Sequence, residues 1–186
     1  IIALYINTHG GGGTPEEKHM KDARFWASLL QNSVFFLLVV NASMFFICAT
    51  TLAWGGWQMA FRRVPEAISA VVPVLGVIAL AILLAISYGD NHSIYHWTDA
   101  EHVKHDAILN FKKGFLNKNF FAVVTVLTIG LWSLLGWKMR KLSRSLDEKP
   151  LATREEAKKY VWNNTIWAAL FMIVFALTVM SSIPWL

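Results

Sequence analysis

The chain has 186 residues, of which 55% are hydrophobic and 16% charged, and its mean hydropathy is +0.44. That balance argues against a soluble bundle with an oily core, and the formal charge of +5 follows from Lys and Arg in loops, so no nucleic-acid partner is needed to explain it. The single cysteine, Cys48, excludes an internal disulfide and a thiolate metal cluster.

In chain order, Ile1 to Ile6 reads as the last turns of a preceding membrane helix, and the start without Met and the apolar end at Pro184-Trp-Leu186 read as a piece of a longer subunit. Gly10 to Gly13 then leads into Thr14-Pro-Glu-Glu17, where a cap residue, a proline at the first helical position and two acids predict a flexible joint entering a helix. It is not a phosphate loop: G-K-[ST] is missing, and Glu16 and Glu17 would repel phosphate. Four runs follow without Asp, Glu, Lys or Arg: 33–54, 67–88, 120–137 and 161–183. A helix rises about 1.5 Å per residue, so roughly 20 apolar residues cross a hydrocarbon core, and each run is read as a span. The expected fold is all-α, a polytopic transmembrane helix bundle of four complete spans plus the end of a preceding one, forming one integral-membrane region. Trp54, Trp57, Trp97, Trp137, Trp162 and Trp185 stand near run edges, as interfacial anchors do.

Between the first two runs, Arg62-Arg63-Val-Pro-Glu66 puts a carboxylate at a helix start near two guanidinium groups. This is either a stabilised helix terminus or a proton entry point. Pro73 predicts a kink that frees a backbone carbonyl for a neighbour to satisfy, while Asn41, Ser43, Thr125 and Thr128 are read first as packing residues. The segment after the second run carries Asp90, His92, His96 and Asp99. A capping box at Thr98-Asp-Ala-Glu101 then opens an amphipathic surface helix over 99–113, with Glu101 facing His105 and His102 facing Asp106 at i,i+4. A solvated face with weak ion pairs and a proton-transfer or docking surface both remain open there. His92 and His96 lack further ligands for zinc, and no span holds a histidine for an internal haem, so no metal site is assigned. Within 138–160, Pro150 interrupts a charged loop and Thr153-Arg-Glu-Glu156 caps the helix that enters the fourth span.

If the spans alternate, Arg62, Arg63 and the basic residues of 138–160 share one side, and 7–32 shares the other with 89–119, where Lys/Arg and Asp/Glu balance. The positive-inside rule then puts 55–66 and 138–160 in the cytoplasm and turns 89–119 outward.

Three blocks, Arg62-Arg63-Val-Pro-Glu-Ala-Ile-Ser69, His92-Ser-Ile-Tyr-His-Trp97 and Lys113-Gly-Phe-Leu-Asn-Lys-Asn-Phe-Phe121, resemble in order and spacing the ActF membrane subunit, NrfD-like, of bacterial alternative complex III. The resemblance implies the N-terminal part of a subunit in a quinol:cytochrome c or quinol:oxidase oxidoreductase, with quinone or menaquinone in the complex. Haem c and iron–sulfur clusters would be held by partners: an NrfD-like membrane subunit, multihaem and monohaem cytochrome c subunits and an iron–sulfur subunit. On that reading this chain binds no cofactor directly and has no self-contained active site. Its proton-path candidates are Glu66 at the inner side and Asp90, His92, His96, Asp99, His105 and Asp106 at the outer side. The alternatives are a non-catalytic scaffold that docks extracytoplasmic haem subunits and, more weakly, a solute transporter, whose expected ionisable residues within spans are missing from the four runs.

Overall fold

Apolar runs bounded by charge become long helices because lipid leaves backbone polar groups no partner outside the segment. The computed structural model describes residues 15–89, 95, 117–148 and 152–182, and those residues form α1 (Pro15–Leu52), a short 3₁₀ turn (Gly56–Ala60), α2 (Arg63–Ser69), α3 (Val72–Tyr88), α4 (Lys118–Glu148) and α5 (Arg154–Ser182). Four stretches are long and apolar enough to cross a membrane: Met20–Leu52, Arg63–Tyr88, Lys118–Glu148 and Arg154–Met180. Their large apolar side chains lie heavily on the outside, among them Phe35, Phe36, Val74, Val77, Val123, Leu127, Leu134, Ile173 and Leu177. A soluble protein rarely exposes so much apolar surface, whereas lipid solvates it at no cost. The protein is a multi-pass, all-α membrane protein.

The helix limits refine the sequence reading in three places. α1 carries the polar segment from Pro15 directly into the first run as one 38-residue helix. The second run is two helices, because the chain breaks at Ala70 and Val71 ahead of Pro73. α4 continues past Trp137 to Glu148, so 138–148, expected as loop, is a polar extension of the third span. The cap at Thr153 is as expected: its hydroxyl accepts from the Glu156 amide at 3.3 Å, while the Glu156 carboxylate accepts from the Ala152 amide at 3.1 Å.

Contacts group the chain into two compact units, Ile1–Phe36 with Val77–Thr125, and Leu37–Gly76 with Val126–Leu186. In the first, Asn117 caps α4 by accepting from the Asn119 amide at 3.1 Å. The Tyr88 hydroxyl donates to Asn119 Oδ1 at 2.9 Å, and the ring of buried Tyr95 lies 5.8 Å from that of Phe121. Residues 117–121 thus start α4 and hold the end of α3.

The second unit has a core of Met44, Ile47 and Cys48 from α1, Leu135 and Met139 from α4, and Ala168 and Phe171 from α5. Phe175 extends it, lying 5.1 Å from Phe45, 5.8 Å from Trp132 and 6.0 Å from Phe171 between ring centres. Trp132 Nε1 donates to Thr178 Oγ1 at 3.0 Å, tying α4 to α5. Gly76 lets α3 approach α4 closely, since a Cβ there would stand 2.5 Å from Ile129 Cγ2. Such close approach through small residues is the usual way membrane helices pack.

α1 ends in a Schellman-type turn whose left-handed residue is a tryptophan. The Gly55 amide donates to Thr50 O at 2.9 Å and the Trp54 amide to Thr51 O at 3.2 Å, while Trp54 adopts a φ of 54°. Behind this turn buried Gln58 engages Thr50 and Thr51, and the rings of Phe46, Trp57 and Phe61 cluster.

Candidate functional site

The turn after α1 delivers Arg62 and Arg63 to the start of α2, and helical spacing then decides which side chains meet. Glu66 lies three and four residues on, so its carboxylate comes beside both guanidinium groups. Arg62 Nε donates to Glu66 Oε1 at 2.8 Å and Arg63 Nη1 donates to Glu66 Oε2 at 3.2 Å. Arg62 and Glu66 are only 4% and 5% exposed. The sequence expectation placed Glu66 near these two charges; the structure adds that the pair is buried.

Burial requires that the remaining donors find partners. Arg62 Nη2 donates to Asn164 Oδ1 at 3.1 Å, bringing α5 into the site, and Asn164 is itself buried. Arg63 Nη2 donates to both carboxylate oxygens of Asp147 near the end of α4, at 2.6 and 2.5 Å. That contact lies half in solvent, where an ion pair contributes little to stability. The Tyr160 hydroxyl is buried without a hydrogen-bond partner among the described residues, within reach of the charges of Arg62, Glu66, Arg63 and Asp147.

A second arm of the site comes from Pro73. In an unbroken helix the carbonyl of Ser69 would accept from the amide of residue 73, and proline has no N–H to give. Arg140 of α4 supplies the donor: its Nη1 lies 3.0 Å from Ser69 O and 3.2 Å from Ser69 Oγ, and Ser69 is fully buried. The expected freed carbonyl therefore has a named partner. Gly136 lies one turn before Arg140, and a Cβ there would stand in van der Waals contact with Arg140 Nη1, at 3.4 Å.

The cluster thus joins α2, α4 and α5 at one end of this unit, with three guanidinium groups, two carboxylates and the polar groups of Ser69 and Asn164. Chemically it offers fixed positive charge around a carboxylate with both oxygens engaged. It braces the helices and holds the Glu66 carboxylate between two guanidinium groups. Each of the two has a further partner as well, Asn164 for Arg62 and Asp147 for Arg63.

Of the sequence candidates, Glu66 alone falls in this site. Asp90, His92, His96, Asp99, His105 and Asp106, together with the helix expected over 99–113, lie outside the described residues. Among the described residues no three His, Cys, Asp or Glu side chains converge as a metal site. The sequence reading passed over Arg140, Asp147, Asn164 and Tyr160. Two signals were present: a proline within an apolar run demands an outside donor, and Asn163-Asn164 is a polar step inside the fourth run. Asn41, read as a packing residue, is 1% exposed, and among the described residues neither amide atom has a hydrogen-bond partner. No protein-family model and no curated protein matches the chain.

Proposed function

We propose that the protein is an integral-membrane subunit of a respiratory quinol-oxidising complex similar to alternative complex III, supporting the quinol site and proton movement. The observation that carries this reading is that the block 62–69, which bears the family resemblance, is also the block that builds the buried Arg62–Glu66–Asn164 network. A buried carboxylate at the end of a membrane span is costly, and such groups often serve ion or proton movement. Quinol oxidation releases protons; Glu66 would act at the cytoplasmic face, and Asp90, His92, His96, Asp99, His105 and Asp106 at the periplasmic face of a bacterial inner membrane. Quinone or menaquinone, haem c and iron–sulfur clusters belong in this proposal to the complex and its partner subunits, which would pass electrons to cytochrome c or an oxidase.

Glu66→Gln tests it. It keeps the shape of the side chain and one acceptor oxygen for Arg62 while removing the charge. The expected result is lower quinol turnover and proton release per assembled complex. Unchanged turnover and unchanged proton release would remove Glu66 from the mechanism.

A scaffold reading is favoured by one observation: both Glu66 oxygens are engaged by guanidinium groups, as in a brace between helices. Under that reading Glu66→Gln lowers the yield of complex without changing its activity. Replacing His92 and His96 together would then weaken docking of outer haem subunits.

A further inference from the structure

Beside the α1 turn lies an open groove of about 890 Å³, lined by Trp54 and by Arg154, Glu155, Lys158, Lys159, Trp162 and other residues of α5. Arg154, Lys158 and Trp162 follow one another at i,i+4 and share one helix face. Like charges at that spacing disfavour a helix, so Arg154 and Lys158 sit together at a cost that a bound anion would relieve. Both are exposed, as is Lys159, and among the described residues none of the three forms an ion pair. Glu155 is the one acid in the lining.

Trp54 is 77% and Trp162 68% exposed, far more than tryptophan tolerates in water without a reason. Both stand where a charged segment meets an apolar run, which is the headgroup level of a bilayer. A groove with unpaired cations on its polar part and indole rings toward the apolar part matches an amphiphile with an anionic head. Lys and Arg in this setting recognise anionic lipids, and indole rings sit against the glycerol and upper acyl region.

We propose that this groove binds the headgroup of an anionic phospholipid, with Arg154, Lys158 and Lys159 facing the phosphate and Trp54 and Trp162 bracketing the glycerol region. The proposal rests on the geometry of α5 and the α1 turn and is independent of any respiratory role.

The test uses the full-length protein, stripped of lipid in mild detergent and titrated with dioleoyl-phosphatidylglycerol, dioleoyl-phosphatidylcholine or inorganic phosphate, with bound molecules counted by native mass spectrometry. Phosphatidylglycerol should occupy a site that neither phosphatidylcholine nor inorganic phosphate fills. Each charge removed should weaken that site roughly fivefold, so Arg154→Gln with Lys158→Gln should weaken it about 25-fold. Trp162→Leu should weaken it with every charge retained. All three side chains are exposed, and an unchanged melting temperature in phosphatidylcholine confirms intact folding. Equal retention of the two lipids, filling by inorganic phosphate alone, or a double variant that binds phosphatidylglycerol as the parent does would each overturn the proposal.

Discussion

The break between α2 and α3 couples two positions far apart in the chain, Pro73 and Arg140. Arg140→Met removes the donor to the Ser69 carbonyl and leaves a buried acceptor empty, since Pro73 has no amide to offer. A hydrogen bond from a charged donor contributes about 1.5–3 kcal/mol, and a buried unsatisfied carbonyl costs a similar amount, so the variant should lose about 2–3 kcal/mol. Pro73→Ala restores an amide at the position that can reach Ser69 O, and by itself it should change stability by no more than about 1 kcal/mol. In the Pro73→Ala background the loss on Arg140→Met should fall to roughly half, a coupling of about 1 kcal/mol or more. Cys48 supplies the assay. It is fully buried in the core of the same unit, so maleimide labelling during titration with sodium dodecyl sulfate reports unfolding. Additive effects of the two substitutions, within about 0.5 kcal/mol, would refute the claim that Arg140 replaces the amide missing at Pro73.

The same labelling assay reads three further outcomes. Gly76→Ala places a methyl 2.5 Å from Ile129 Cγ2 and should cost about 1–3 kcal/mol despite the better helix propensity of alanine; Ile129→Ala should recover most of it, and no recovery would mean that α3 and α4 do not meet there. Asn41→Leu removes a buried amide with no partner among the described residues and should stabilise by about 1–2 kcal/mol, whereas a loss of that size would reveal a hydrogen bond at Asn41. Trp54→Gly should stabilise the protein by up to about 1 kcal/mol in phosphatidylcholine, because glycine adopts a φ of 54° without strain; clear destabilisation would mean that the indole itself supports the turn.

Exclusion of charge made the four spans legible, because a single Lys or Asp in lipid is expensive enough to mark their limits. The end of the third apolar run at Trp137 is not the end of its helix: Lys138 and Lys141 lie over the rings of Trp167 and Trp137 at 5.1 and 5.2 Å while α4 continues. The meeting of Glu66 with Arg62 and Arg63 was legible because it is set by helix spacing alone. Asn164, Asp147 and Arg140 reach their partners 102, 84 and 71 residues away along the chain, and no local pattern encodes which helices will be neighbours. Pro73 announced the need for a donor but not its identity.

The proposed place of this chain is in a quinol-oxidising assembly. The most direct measurement is to tag the full-length subunit in its native membrane, purify it in mild detergent, and record c-type haem absorbance and quinol oxidation in the same fraction. Haem and activity should co-purify with the tag in constant ratio. A colourless, inactive preparation that remains folded, with Cys48 protected from maleimide, would contradict it.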